Sequence, residues 1–234
     1  MMTPKLAALV PMRHQSERIP GKNYRSFAGR PLYHHILDSL LACREIDEVV
    51  IDTDSPVILE DARLHYPSVR VIERPAHLRG GMIPTNDVLL HDIAQVDADV
   101  FLQTHSTNPL LRAETISRAI GEFLTLHPAY DSLFGVTRLQ ARLWDAHGEA
   151  VNHDPSVLLR TQDLPPIYEE NSSLYIFARA TLERRRNRLG GRPFMFEIDR
   201  LEAWDIDEEL DFQIAEFLYN LRATVLVKEA RRRD

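Results

Sequence analysis

The chain has 234 residues, 28 Lys+Arg against 35 Asp+Glu for a formal charge of −7, 44% hydrophobic residues and one cysteine. That length and balance exclude a disordered, collagen-like or solenoid polypeptide and predict one large domain with a real core, while the acidic charge excludes a global pull towards nucleic acid. Apolar runs too short for a bilayer, no leader-like opening, and a single Cys43 that permits neither an intrachain disulfide nor a cysteine-built zinc site predict a cytoplasmic protein with no membrane or nucleic-acid partner.

Residues 5–11 read as a buried strand, and residues 31–43 as a helix with Leu32, Ile36, Leu37, Leu40 and Leu41 on one face and Pro31 in its first turn. The same reading gives strands at 48–53, 69–72 and 99–104 and helices at 56–66, 86–96 and 112–126. This alternation predicts an α/β fold, a mostly parallel sheet with flanking helices that binds its ligand at the carboxyl ends of the strands. After Tyr130 the pattern shortens to strands at 132–137 and 173–177 with a hairpin-like turn at Ala146-His147-Gly148. Residues 130–192 therefore read as an insertion within a single domain spanning 1–234. A strand at 194–198, a helix at 208–221 and a strand at 223–227 close the chain.

Two basic clusters stand out. Arg184, Arg185, Arg186 and Arg188 read as a solvated helix face. The other follows the first strand: Pro11-Met12-Arg13-His14-Gln15-Ser16-Glu17-Arg18-Ile19-Pro20-Gly21-Lys22-Asn23. A loop in this place supplies cations and exposed N–H groups where a doubly wound sheet binds phosphate. It is neither a Walker loop nor a G-x-G-x-x-G turn, which disfavours P-loop ATPases and dinucleotide dehydrogenases.

The string P-x-R-x-x-S-x-R-I-P-x-K-N resembles the N-terminal signature of the acylneuraminate cytidylyltransferase family. The resemblance implies a nucleotide-diphospho-sugar transferase-like three-layer sandwich that uses CTP and Mg²⁺ to turn a sialic or related keto-sugar acid into its CMP conjugate. It also implies a homodimer, with the 130–192 region as its dimerisation insertion. Carried over by position, Arg13 and Lys22 hold the triphosphate, Ser16 and Asn23 bond nearby, and Arg18 supports them. Arg74 and Thr85, in the segments Arg74-Pro75 and Thr85-Asn86-Asp87-Val88-Leu89, would read the cytosine edge, although Arg79-Gly80-Gly81-Met82-Ile83-Pro84 departs from the family pattern.

Phe101-Leu102-Gln103-Thr104-His105-Ser106-Thr107-Asn108-Pro109-Leu110-Leu111 offers two rivals for the acceptor. A gapless match puts His105 at a family glutamine, and an insertion would give that place to Gln103. Arg160, Gln162, Asn171 and Tyr175 match a further acceptor segment, where Ser172 replaces a glycine and Glu169 stands in place of a basic residue. Asp205 and Asp207, two apart in an extended stretch before the last helix, would share a side and suit Mg²⁺. Asp54 is either another site carboxylate or a cap for the helix at 56–66.

The predicted reaction is in-line attack by an acceptor oxygen on the α-phosphate of CTP with loss of pyrophosphate, Arg13, Lys22 and Asp207 being catalytic and His105 the best candidate for a general base. Phe194 and Phe196 are either partner contacts or core residues of a strand. The alternatives are the same reaction on a phosphonate or other small acceptor, a non-catalytic nucleotide-binding protein, and a glycosyltransferase on a similar fold.

Overall fold

The computed structural model describes residues 4–230. From β1 (Leu6–Met12) the chain passes a 3-10 turn at Lys22–Tyr24 and a two-residue hairpin, β2 (Ser26–Phe27) and β3 (Arg30–Pro31), into α1 (Leu32–Leu41). Next come β4 (Glu48–Thr53), α2 (Pro56–His65), β5 (Arg70–Glu73), α3 (Thr85–Ile93), β6 (Val100–Thr104) and α4 (Ala113–Leu126). β7 (Ser132–Leu139), β8 (Ile167–Ala178), α5 (Arg179–Arg185), β9 (Pro193–Glu197) and α6 (Glu209–Ala230) complete it.

Seven strands form one sheet in the order β5-β4-β1-β6-β8-β7-β9. β1 lies parallel to β4 and β6, β4 to β5 and β7 to β9, while β8 alone runs against its neighbours β6 and β7. Both faces of the central strands are apolar, as burial on two sides requires. Leu6, Ala8, Val10 and Met12 of β1 pack with Tyr33, Ile36 and Leu37 of α1, Ile58 of α2 and Ile116 and Phe123 of α4. Ala7 and Leu9 face Leu89 and Ile93 of α3 and Leu182 of α5. Helices therefore cover the sheet on both sides, the expected three layers.

A smaller cluster lies off the sheet. Ile19 and Phe27 from the first loop, Leu32, Ile206, and Phe212 and Ala215 of α6 are buried together. An apolar side chain inside a polar loop thus ties that loop to the last helix. Gly21, at φ 66°, turns the loop where a Cβ would lie 2.8 Å from the Tyr24 ring.

Three expectations change. Residues 223–227 continue α6, because a helix already propagating adds a residue at little cost and the β-branched preference of Val225 and Val227 is too weak to stop it. Helix α2 is capped by Ser55, whose Oγ accepts from Ile58 N at 3.4 Å, and not by Asp54. Strands β7 and β8 from the 130–192 stretch are built into the main sheet and Leu182 of α5 joins the core, so the segment that projects is residues 140–166, between the two strands. Phe196 is a core residue, with Phe194 packed against the same cluster, the core alternative for both, and Cys43 is buried.

Removing the loop's apolar anchor tests this assembly. Ile19→Ala should cost about 3 kcal/mol and lower the melting temperature by roughly 6–12 °C, read by thermal denaturation of the two proteins side by side.

Candidate active site

β1 and β6 are neighbours, yet the chain leaves β1 towards β4 on one side and returns through β6 on the other. Beyond the carboxyl ends of such a pair the connections diverge and leave a crevice. Here it is a cleft of about 830 Å³ whose walls include Arg13, Ser16, Lys22, Asn23, Arg74, Thr85, His105, Asp205 and Asp207.

The first loop is held from both ends. Asp54 Oδ1 accepts from His14 N at 2.7 Å, so Asp54 anchors the loop. Asn23 Nδ2 donates to Arg13 O at 2.8 Å and Asn23 Oδ1 accepts from Ser106 Oγ at 2.7 Å. Asn23 is therefore spent on bracing the loop against the turn after β6. The 203–207 segment is fixed to that same turn: Ile206 N donates to Thr107 O at 3.0 Å and Asn108 Nδ2 to Trp204 O at 3.3 Å.

These two braced segments meet through charge. Lys22 Nζ donates to Ile206 O at 2.5 Å, and Arg18 pairs with Asp207 at 2.5 Å. Burial pulls the Lys22 pKa below its usual value, while Asp205 and Asp207 push back. Burial raises the Asp205 carboxyl, whose Oδ1 is enclosed without a hydrogen-bond partner. A hard divalent cation coordinates carboxylate oxygen and favours the ionised form, so the orphaned Asp205 oxygen beside Asp207 fits one.

The other end of the cleft is built on Arg74, buried and bonded through Nε to Asp52 Oδ1 and through Nη2 to Asp52 O at 3.4 Å. Asp92 on α3 lies beside them, and Asp52 Oδ2 and both Asp92 oxygens are buried without a donor. Asp52, His91 and Asp92 bring ligand atoms within 4.8 Å of one another. The Arg74 guanidinium, however, already supplies the positive charge, and two carboxylates against one cation are best relieved by a shared proton. Burial first, then the Asp52 charge, pushes Asp92 up to about 9.

A carboxyl that stays protonated in the fold up to about 9, but ionises near 3.8 when exposed, contributes stability that is complete below that lower value and lost as pH rises through the upper one. Asp92→Asn, which imitates the neutral acid, should raise the melting temperature at alkaline pH by roughly 5 °C, and the gap should close on acidification. Melting curves across the pH range check this.

Five residues expected at the site do not line the cleft. Gln103 is fully buried behind His105, and Tyr175 is buried with its hydroxyl on Glu170 and, at 3.3 Å, on Ser172 Oγ. Asn171 Nδ2 donates to Thr137 Oγ1 at 3.1 Å within the β7–β8 pair. Arg160, ion-paired with Asp163 at 2.6 Å, and Gln162 are exposed on the 140–166 projection. Glu169 is exposed on β8, outside the cleft. Ser172 does line it, at φ 56°, the left-handed region that favours the glycine it replaces.

Arg188 is the residue that sequence reasoning missed. Arg184, Arg185 and Arg186 are exposed as expected, but the helix ends at Arg186, φ 54°, and Arg188 turns inward. Its Cζ lies 3.6 Å from the Tyr175 ring centroid and its Nη1 donates to Gln103 Oε1 at 2.5 Å. The chain leaves the helix at a non-glycine residue, Arg186, so nothing local in the sequence marked Arg188 off from its neighbours.

The chain is 28% identical, over 95% of its length, to the whole of a CMP-N,N'-diacetyllegionaminic acid synthase from Legionella pneumophila. It is 24% identical, over 93% of its length and 97% of the other, to a pseudaminic acid cytidylyltransferase from Campylobacter jejuni. In fold it is similar to a CMP:2-keto-3-deoxy-manno-octonic acid synthetase solved with CTP, with a TM-score of 0.69 and 15% identity over 93% of this chain and 99% of that one. A family model described as cytidylyltransferase matches residues 7–230, and with the cleft at the switch point of this sheet the chain belongs to the cytidylyltransferase family.

Proposed function

We propose that this chain transfers the CMP group of CTP to a hydroxyl of a sugar acid of the sialic, legionaminic or related keto-sugar type, releasing pyrophosphate. The observation that carries this reading is one cleft in which Arg13 and Lys22 face the Asp205 and Asp207 pair. Phosphoryl chemistry gathers negative charge on phosphate oxygens, so most of its catalysis is positioned positive charge. Arg13, which has no ion pair among the described residues, offers its guanidinium fork to the triphosphate, and Lys22 adds a point charge whose desolvation strengthens it. Asp205 and Asp207 would hold Mg²⁺, which supplies charge withdrawal from phosphate oxygens. Arg18 holds Asp207 in orientation. Arg74 and Thr85 sit at the end of the cleft suited to the base, where a buried donor left unmatched by the wrong base is costly.

Pyrophosphate release with CTP, UTP, ATP or GTP, each against N-acetylneuraminate, N,N'-diacetyllegionaminic acid and 3-deoxy-manno-octulosonate, tests the reading. Release that needs CTP and one acid is expected; release without CTP, or a CTP that changes neither turnover nor melting temperature, overturns it. Asp207→Ala should lower kcat by about 100-fold or more while CTP still raises the melting temperature, since removing a group that acts on developing charge costs turnover more than binding.

We further infer a homodimer acting in the cytoplasm. The 140–166 projection exposes Trp144, Val151, Val157 and Leu158, the last 90% exposed, more apolar surface than a small projection carries without a partner. Among the described residues no helix is long and apolar enough to cross a membrane. Light scattering should give twice the chain mass, and Leu158→Asp should shift the protein towards the single-chain mass.

A further inference from the structure

The turn after β6 carries a chain of hydrogen bonds whose donors and acceptors can be assigned by elimination. Arg188 can only donate, and its Nη1 lies 2.5 Å from Gln103 Oε1. The carbonyl of Thr104 can only accept, and it lies 3.0 Å from Gln103 Nε2. Two independent partners therefore orient the Gln103 amide the same way. Its second N–H points at His105 Nε2, 3.0 Å away. A nitrogen facing an N–H must accept, so His105 carries its proton on Nδ1, and His105 is the member of this chain that lines the cleft.

We infer that His105 meets the acceptor substrate as a neutral imidazole donating from Nδ1–H to an electron-rich oxygen, and that Arg188, acting through Gln103, is the positioning residue that sets this tautomer. The inference rests on the reading that the acceptor occupies this cleft, and it removes His105 from the role of general base. The lone pair a base needs is on Nε2 and is spent on the Gln103 amide. Protonation would set two donors against each other, and burial with the charges of Arg188 and Lys22 pushes the His105 pKa down to about 4. A neutral imidazole held as a donor is a recognised means of polarising an oxygen.

The positioning end is itself firmly held. Arg188 N donates to Asn86 Oδ1 at 3.1 Å near the start of α3. The guanidinium lies over the Tyr175 ring, and that ring is fixed in turn by Glu170 and Ser172. Gln103 and Tyr175 are directly paired across β6 and β8, so the relay is built on sheet rather than on loop.

Nitrogen-15 NMR of the full chain labelled in histidine reads the tautomer without any substrate, with His105 assigned by the signals that vanish in His105→Asn. The expected spectrum has Nδ1 protonated, Nε2 bare and no titration through neutral pH. A proton on Nε2, or an imidazolium at neutral pH, overturns the inference. Gln103→Glu keeps the bond from Arg188 but replaces the amide donor with an acceptor, so the proton should move to Nε2; an unchanged tautomer would also overturn it. Arg188→Met should give mixed tautomers, and Arg188→Lys, which still donates, should restore the original one. In turnover with CTP and N,N'-diacetyllegionaminic acid, Gln103→Glu should raise KM for the acid about tenfold and leave KM for CTP unchanged. If no acid turns over, the spectra still decide the tautomer, and the failure lies with the proposed reaction.

Discussion

An ammonium carried into a desolvating wall is the condition around which this molecule is arranged. Lys22 has to stay charged to serve the phosphate role proposed for it, and its burial works against that. The carbonyl of Ile206 and the carboxylates of Asp205 and Asp207 offset the cost. They come from the far end of the chain, so the loop after the first strand and the segment before the last helix must be brought together for either to be useful. The Ile19, Phe27, Ile206 and Phe212 cluster does this with apolar contacts that are indifferent to what the cleft contains.

The same logic recurs at the two ends of the cleft. Arg74 is buried and needs Asp52; Asp52 is buried beside Asp92, and the excess negative charge is relieved by a proton on Asp92. Arg188 is drawn in by Tyr175 and Gln103 and thereby sets the donor pattern that reaches His105. In both cases an arginine drawn into the fold is paired with polar groups on strands or at strand ends, where rotamers are fixed by packing. The cleft thus presents donors and cations whose geometry is settled before a ligand arrives, and such preorganisation is where charge stabilisation in a transfer reaction comes from.

Much of this was legible in the sequence. The alternating apolar pattern reports the period of each element, and with it the parallel core through α4. The loop string with Arg13 and Lys22, and the pair Asp205 and Asp207 ahead of a helix, are local statements: residue type, spacing and position relative to an element are enough to nominate them. The boundaries that failed are also local. Val225 and Val227 prefer strand, but that preference is outweighed by a helix already formed before them.

What the sequence by itself determined was therefore the kind of fold, the place of the basic loop after the first strand and the residues that meet charge with charge. Only the tertiary structure decided which polar residues reach the cleft. Gln103 and His105 are two apart on a strand end and look equivalent as text, yet one is buried behind the other. Tyr175 and Asn171 face the sheet's own partners, and Arg188, one of four similar arginines, turns inward because a helix ends two residues before it. These outcomes depend on contacts between distant residues, 85 positions apart for Arg188 and Gln103 and 102 for Arg188 and Asn86. Periodicity and spacing describe a residue's neighbours along the chain, and say nothing of which distant side chain will supply its hydrogen bond.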